Sequence, residues 1–252
     1  MELDVTQPLL LPAGGGELIG DSEDRRVEIL SDHEALNATW SRFGPYRDGA
    51  DPHIHRRHSD LFYVLEGELT IGLGADRVET TVPTGTLVLA PPLVVHAFRN
   101  GSAADVRYLN FHAPGIGFAD YLRGSGDGRE SPFDQEAPPA DGDSPVDEAV
   151  VRRGVGPLAD IEEIGVMEVR DEPGSPSTPS HVHRRHLECF YVLAGELTFM
   201  VAGRELQART GSWVQIPPGV PHTFAVTGVE EARFLDIHAP SFRLGVLDQE
   251  PA

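Results

Sequence analysis

The stretch HIHRRHSDLFYVLEGEL, starting at His53, is written again with few changes as HVHRRHLECFYVLAGEL, starting at His181. A chain that repeats so long a pattern at such a distance is built from two copies of one unit, and each copy has to bury the same face. The correspondence runs further. His53, His55 and His58 recur as His181, His183 and His186 at an offset of 128, and Gly85, Pro91, Pro92 and His96 recur as Gly211, Pro217, Pro218 and His222 at 126. The change of offset places a connection two residues shorter between Gly195 and Gly211. YLNFHAP from Tyr108 then matches FLDIHAP from Phe234, again at 126. Ten of the 11 histidines fall into five related pairs, 53/181, 55/183, 58/186, 96/222 and 112/238, and only His33 has no counterpart.

Within each copy the local signals are those of strands. FYVLEGELTIGL and FYVLAGELTFMVA are rich in β-branched and aromatic residues with Gly and acid punctuation. GTLVLAPPLVVHAF and GSWVQIPPGVPHTF are further strands, each interrupted by a Pro-Pro pair that cannot sit inside a ladder. Short strands without a long helical pattern predict an all-β sandwich or barrel for each copy. GFADYLR from Gly117 is the one short helix expected, with Phe118, Tyr121 and Leu122 on its buried side. The stretch from Gly124 to Ala149 is acidic and rich in Pro and Gly, with almost no apolar periodicity, so it reads as a mobile linker. The expected organisation is an N-terminal unit over 1–123 with its arm and short helix, a linker over 124–149, and a C-terminal unit over 150–252.

Imidazoles and carboxylates gain nothing from an apolar strand interior unless something satisfies them. In extended backbone His53 and His55 share a face, as do His181 and His183. An acid follows five residues after the second histidine, Asp60 in one copy and Glu188 in the other, and His96 or His222 arrives from a distant strand. Three neutral imidazoles and one carboxylate make a nitrogen–oxygen site for a divalent transition metal: Fe, Mn, Ni, Cu or Zn.

These residues resemble the paired motifs of a bicupin, two cupin domains on one chain. The second copy matches H-x-H-x4-E-x6-G through His181, His183, Glu188 and Gly195, and G-x5-P-x-G-x2-H through Gly211, Pro217, Gly219 and His222, with Val226 replacing a final Asn. The first copy offers His53, His55, Asp60 and Gly67, then Gly85, Pro91, His96 and Asn100, with Asp60 in place of Glu and Leu93 in place of Gly. Gly49 and Gly174 lie near the expected opening Gly, and the resemblance covers roughly 49–114 and 174–240. It implies two tandem jelly-roll barrels and one or two metals per chain, Asp60 being one methylene shorter than the usual ligand. Quercetinase-like bicupins carry the same three-His, one-Glu set. The resemblance therefore implies a dioxygenase-type oxidoreductase acting on a small oxygenated aromatic or keto compound. Glu188 is the candidate catalytic group, a ligating carboxylate able to loosen and take a substrate proton. A redox-neutral metal-dependent isomerase or decarboxylase, or a non-catalytic metal or small-molecule binding protein, are the alternative readings.

The remaining polar residues carry plainer expectations. His58 and His186, in the HRRH turns, read as surface residues rather than as donors behind the metal ligands or substrate contacts, and Arg56, Arg57, Arg184 and Arg185 as a solvated rim rather than a site for an anionic substrate. His112 and His238 read as hydrogen-bonded strand ends, His33 as loop or helix-start chemistry, and Cys189 as a small packed side chain. All 20 basic residues are arginine, which excludes lysine Schiff-base chemistry. The net charge of −20 argues against nucleic acid and anionic membranes as partners. The N-terminal segment has neither the basic region nor the apolar run of a signal peptide, so a cytoplasmic location is expected. TQPLLLP from Thr6 suits pairing with a neighbouring edge strand, and a homo-oligomer is among the expected assemblies.

Overall fold

The computed structural model describes residues 4, 6–128, 132–140, 142–175, 177, 179–241 and 249–251. Among them regular structure is almost entirely strand, with one α-helix, Phe118–Asp127, and a 3-10 turn, Val146–Glu148. No helix among the described residues is long and apolar enough to cross a membrane. The chain forms two units, Leu18–Gly154 and a second made of Met1–Glu17 with Val155–Ala252.

The larger sheet of the first unit runs in spatial order Val150–Arg153, Thr86–Ala90, Ser59–Glu66, Val106–Ala113, Leu36–Phe43, Arg25–His33 and Glu17–Asp21. A smaller sheet orders Val78–Pro83, Glu68–Leu73 and His96–Arg99. All pairings with a recorded register are antiparallel, the pattern of a jelly roll. Strand alternation decides what lies inside. Phe62 and Val64 on one central strand, and Val106 and Tyr108 on its neighbour, share a core with Leu69, Ile71 and Val88. Asp60 lies two residues before Phe62, and Asn110 and His112 lie two and four after Tyr108, so the same alternation points all three inward. Gly67 closes the hairpin at φ +80, and a Cβ there would stand 2.6 Å from the Asp105 carbonyl oxygen, so no larger residue fits this turn.

In the second unit one sheet orders Leu9–Leu11, Trp213–Ile216, Leu187–Ala194, Ala232–Ala239, Gly165–Asp171 and Gly156–Asp160. The other orders Arg204–Arg209, Glu196–Val201, His222–Val226, His181–His183 and Gln249–Pro251. Phe190, Val192, Phe199, Val214 and Phe234 form its core, and Glu188 occupies the inward position two residues before Phe190. The fold is all-β, two tandem jelly rolls, as the motifs implied.

The expected boundaries at 123 and 150 shift. The N-terminal arm joins the second unit, where Leu9, Leu10 and Leu11 pair with Gln215, Val214 and Trp213. The described residues of the expected mobile linker are structural parts of the first unit. Glu136 exchanges two 3.0 Å backbone hydrogen bonds with Ile54, Ser144 Oγ accepts one from the Val95 amide, and Val150–Arg153 pairs with Thr86–Ala90. Attachment through backbone groups and hydroxyls leaves no apolar periodicity in the sequence, which is why this segment reads as a linker.

Candidate metal centres

Each unit gathers one carboxylate and three imidazoles into a buried cup. His53, His55, Asp60 and His96 bring ligand atoms within 4.8 Å of one another, and so do His181, His183, Glu188 and His222. The local backbone explains why. An antiparallel bridge joins His53 to His96, and the same contact joins His181 to His222, so the first and last histidines of each motif face each other across a strand pair.

Second contacts fix the ring tautomers. His53 Nδ1 donates to the Asp51 carbonyl at 2.7 Å, His96 Nδ1 to that of Val94 at 2.9 Å, and His55 Nδ1 to that of Asp134. A carbonyl only accepts, so each ring keeps its proton on Nδ1 and turns an Nε2 lone pair toward the others. In the second cup His181 Nδ1 donates to Pro179 at 2.8 Å and His222 Nδ1 to Val220 at 2.9 Å. His96 Nε2 then stands 3.2 Å from Asp60 Oδ2, and His222 Nε2 stands 2.5 Å from Glu188 Oε2. Lone pairs held that close repel unless a cation lies among them. His55 Nε2, His222 Nε2 and Glu188 Oε2 are also buried without a hydrogen bond. Both donor sets therefore fit a divalent transition metal.

Electrostatics separates the cups. Burial pushes Asp60 up, but His112, His55 and His96 outweigh it and hold the carboxyl well below its ordinary range. Glu188 is lowered in the same way, the effect of burial being overcome by the neighbouring His183, His222 and His238 imidazoles. Burial, reinforced by the neighbouring His96, pushes His53 down to about 4. His222 goes the other way: burial lowers it, yet the Glu188 carboxylate beside it raises it overall.

A further tier of residues lies behind the candidate ligands, and here two expectations are corrected. His58 and His186 are buried, 0 % and 3 % exposed, while Arg56, Arg57, Arg184 and Arg185 around them are exposed. The HRRH turn thus splits by side chain, guanidiniums outward and imidazoles inward. His112 and His238 do end strands, but on the face that looks into the cup, forming clusters with His55 and His58 or with His183 and His186. In the first cup a continuous chain results. His58 Nδ1 meets Asp134 Oδ2 at 3.1 Å, His58 Nε2 meets His112 Nδ1 at 2.9 Å, and His112 Nε2 meets Asn110 Oδ1 at 3.1 Å. Asn110 Nδ2 then donates to Asp60 Oδ1. In the second cup Asp236 replaces Asn110, with its Oδ1 3.0 Å from His238 Nε2. Cys189 is buried with its thiol pushed up by burial, consistent with a packed side chain. His33 sits at a hairpin turn, where its Nδ1 accepts from the Ala35 amide at 3.1 Å.

Asp134 was missed. Its carboxylate accepts from the Arg56 and Arg57 amides at 3.0 and 2.7 Å, capping the turn that carries His55 and His58. A signal was present: DQE at Asp134–Glu136 recurs at Asp248–Glu250. Glu250 pairs with Val182 as Glu136 pairs with Ile54, while Asp248 lies outside the described residues.

A cavity of about 390 Å³ opens onto His53, His55 and Asp60 in the first unit. Its walls include Phe43, Phe98, Phe118, Tyr121 and Phe133. Phe118 and Tyr121 come from the helix, stacking at 6.2 Å between centroids, and Tyr121 stacks on Phe133 at 5.3 Å. Spacing alone did not reveal this lining, because its aromatics come from separate elements.

Comparison with known proteins agrees with this architecture. The family model described as Cupin domain matches residues 40–112 and 167–238. Quercetin 2,3-dioxygenase of Bacillus subtilis (strain 168) is 30% identical over 126 residues, which is 49% of this chain and 36% of that protein. The chain thus spans about a third of that relative's length. Among solved structures, protein Ylba from E. coli superposes with a TM-score of 0.68 at 14% identity, covering 94% of this chain and 93% of that one. A mutant of oxalate decarboxylase from Bacillus subtilis does so with a TM-score of 0.65 at 13% identity, covering 94% and 78%. At such identities these two structures show a shared fold alone.

Proposed function

Since the chain belongs to the cupin family, carrying its domain twice, we propose that it is a metal-dependent oxidoreductase of the dioxygenase type. Its reaction runs in the first cup, on a small oxygenated aromatic or keto compound. The observation that carries this reading is the aromatic-walled cavity opening onto His53, His55 and Asp60. The similarity to a quercetin dioxygenase supports the reaction class.

His53, His55 and His96 would hold the metal through their Nε2 atoms and Asp60 through Oδ2; in the second cup His181, His183, Glu188 and His222 have the same parts. When bound, the metal supplies Lewis-acid polarisation of a substrate oxygen and redox access to dioxygen. The chain's own residues do the rest. Asp60 is ionised at neutral pH, since His112, His55 and His96 outweigh the effect of its burial, so its carboxylate is able to accept the proton of a substrate hydroxyl. Asn110 holds the other carboxylate oxygen in place. Asp134 fixes the His55 ring by its carbonyl and the turn by its carboxylate. Phe43, Phe98, Phe118 and Phe133 exclude water and offer flat faces to a planar substrate. Glu188, the group first expected to take the proton, is the counterpart of Asp60, and paired variants separate the two.

The test is oxygen uptake by protein loaded in turn with Fe, Mn, Ni, Cu or Zn, against a panel of hydroxylated aromatics and enolisable ketones. Oxygen consumption matching product formation is expected, abolished by His55→Ala and kept to within a few-fold in His183→Ala. Turnover without oxygen uptake would replace the reading by a redox-neutral isomerase or decarboxylase. Tight ligand binding without turnover would leave a binding protein.

A further inference from the structure

The first cup's cavity holds a cation that the metal chemistry does not use. Arg25 lines it together with His53, His55 and Asp60. The other guanidinium on the wall, Arg47, is ion-paired with Asp24, and the next residue along the strand, Arg26, is paired with Asp21 and Glu28 at 2.5 and 2.7 Å. No carboxylate among the described residues makes an ion pair with Arg25, although the side chain is half-buried. Its backbone is fixed on both sides. The Ser22 amide donates to the Arg25 carbonyl at 2.7 Å, and the Arg25 amide donates to Ser22 Oγ at 3.1 Å. Arg25 pairs with Phe43, whose ring meets Tyr108 edge-on at 5.4 Å, so the cation is placed at the aromatic Phe43 wall. The two other acids on the lining, Asp48 and Asp51, are exposed and solvated.

Among the described residues the second unit shows no equivalent pairing: the residue at that position by register, Arg153, pairs with Thr86 instead. Its corresponding hairpin pairs Gly156 with Glu168 and goes no further, whereas the first continues to Arg25 opposite Phe43. The strand facing it shows how far short it stops: Glu168 pairs with Leu235 as Trp40 pairs with Leu109. An extension paired this way in one copy, and ending in a guanidinium on that copy's cavity wall with no ion pair among the described residues, suits recognition of an anion. Guanidinium binds carboxylate through two parallel hydrogen bonds and is weakly hydrated, so partial burial costs it little.

We propose that Arg25 is the specificity residue of the first cup, binding the carboxylate of an aromatic or keto acid whose oxygenated end faces His53, His55 and Asp60. This rests on the first cup being the substrate site. At about 390 Å³ the cavity lies toward the small end of ligand pockets, which span roughly 300–1,000 Å³, and so suits a one-ring acid.

The test uses the full chain loaded with zinc, which runs no redox reaction, and calorimetric titration with 3,4-dihydroxybenzoate and its neutral counterpart 3,4-dihydroxybenzamide. The acid is expected to bind at least tenfold more tightly than the amide. Arg25→Gln should remove that preference while leaving the amide's affinity within twofold, and Arg25→Lys should restore part of it. Unchanged circular dichroism and melting temperature establish that the variants are folded. Equal affinities in the parent, or a preference surviving Arg25→Gln, overturn the role of Arg25. His55→Ala separates this from the underlying reading. If that variant weakens both ligands, the first cup is the binding site whatever Arg25 does. If it weakens neither, or if neither ligand binds the parent, the first-cup reading falls and the role of Arg25 with it.

Discussion

The two cups differ most at one pair of positions: Asp60 with Asn110 in the first, Glu188 with Asp236 in the second. Around each pair the five histidines are the same, yet their proton affinities diverge. In the first cup burial pushes His53 and His58 down to about 4 and His112 well below its ordinary value. In the second, burial also lowers His181, and His186 to about 3, but it is overcome at two rings: Glu188 raises His222, and Asp236 raises His238. A carboxylate in the place of Asn110 thus turns part of a cluster of neutral bases into one that competes for protons or cations. The first cup keeps its lone pairs free beside an open cavity; the second is built to hold positive charge. The repeat keeps the geometry of the candidate ligands, while two differences change what that geometry favours.

The largest effect expected from breaking this comparison is loss of a metal. Elemental analysis of His53→Ala/His55→Ala and of His181→Ala/His183→Ala should each show about one equivalent fewer than the parent, with turnover abolished only in the first. Turnover lost only with the second pair would reverse the assignment of the cups. Acid sharpens the contrast next. The unfolded chain titrates His53 and His58 near 6.5 and the folded chain near 4, so between these values the unfolded state binds more protons and stability is lost as pH falls. Each of these imidazoles accounts for a loss of up to about 3 kcal/mol by pH 4. The lowered Asp60 in the first unit and Glu188 in the second each add a loss of the same sign as pH falls, so the contrast rests on the imidazoles. His222, raised in the fold, has the opposite sign: its contribution is present at low pH and is lost as pH rises through its folded value. Hydrogen exchange of metal-free protein between pH 7 and 5 should therefore show protection falling more in the first unit; equal losses would refute the electrostatic contrast.

A smaller effect tests the loop behind the first cup. Asn100 is fully buried and donates to the carbonyls of Phe43, Gly44 and Ala104 at 3.1, 2.7 and 2.7 Å, where the second copy has Val226 in its apolar core. Asn100→Ala should destabilise the first unit by about 2–3 kcal/mol in denaturant melts, and Asn100→Val, copying the second unit, should not rescue it. The smallest effect is expected from Asp236→Asn, which makes the second cup resemble the first. Competition with a chelator should show that cup's metal affinity reduced about tenfold, with the first cup unchanged.

Much of this was legible in the chain. The eight candidate ligands were readable because strand geometry ties their spacing to a common face and because each was written twice. The deeper histidines were misread for a local reason: HRRH looks uniformly polar, and only packing shows that Arg56 and Arg57 turn to water while His58 turns inward. Asp134 reaches His55 across 79 residues through its own carbonyl, a contact any residue type is able to make, so side-chain chemistry gave no hint of it. The recurrence of DQE did carry the information, but over a different offset from the rest of the repeat. Of the aromatic wall only Phe98 recurs, as Phe224, so repeat analysis gave no sign of Phe43, Phe118, Tyr121 or Phe133, nor of Arg25, which lies outside the repeated motifs.

The strand contributed by Leu9–Leu11 has a consequence for how the two halves could ever be separated. The first unit is one continuous run of chain, but the second is not, since its sheet ends on residues that precede the first unit in sequence. A gene fragment starting at Val155 would translate into a barrel with the Trp213–Ile216 edge uncovered, a template for self-association. Supplied separately, a peptide spanning Thr6 to Glu17 is the natural patch for that edge, so the pair lends itself to a split-protein reporter in which recovery of a soluble second half signals that the two pieces have met.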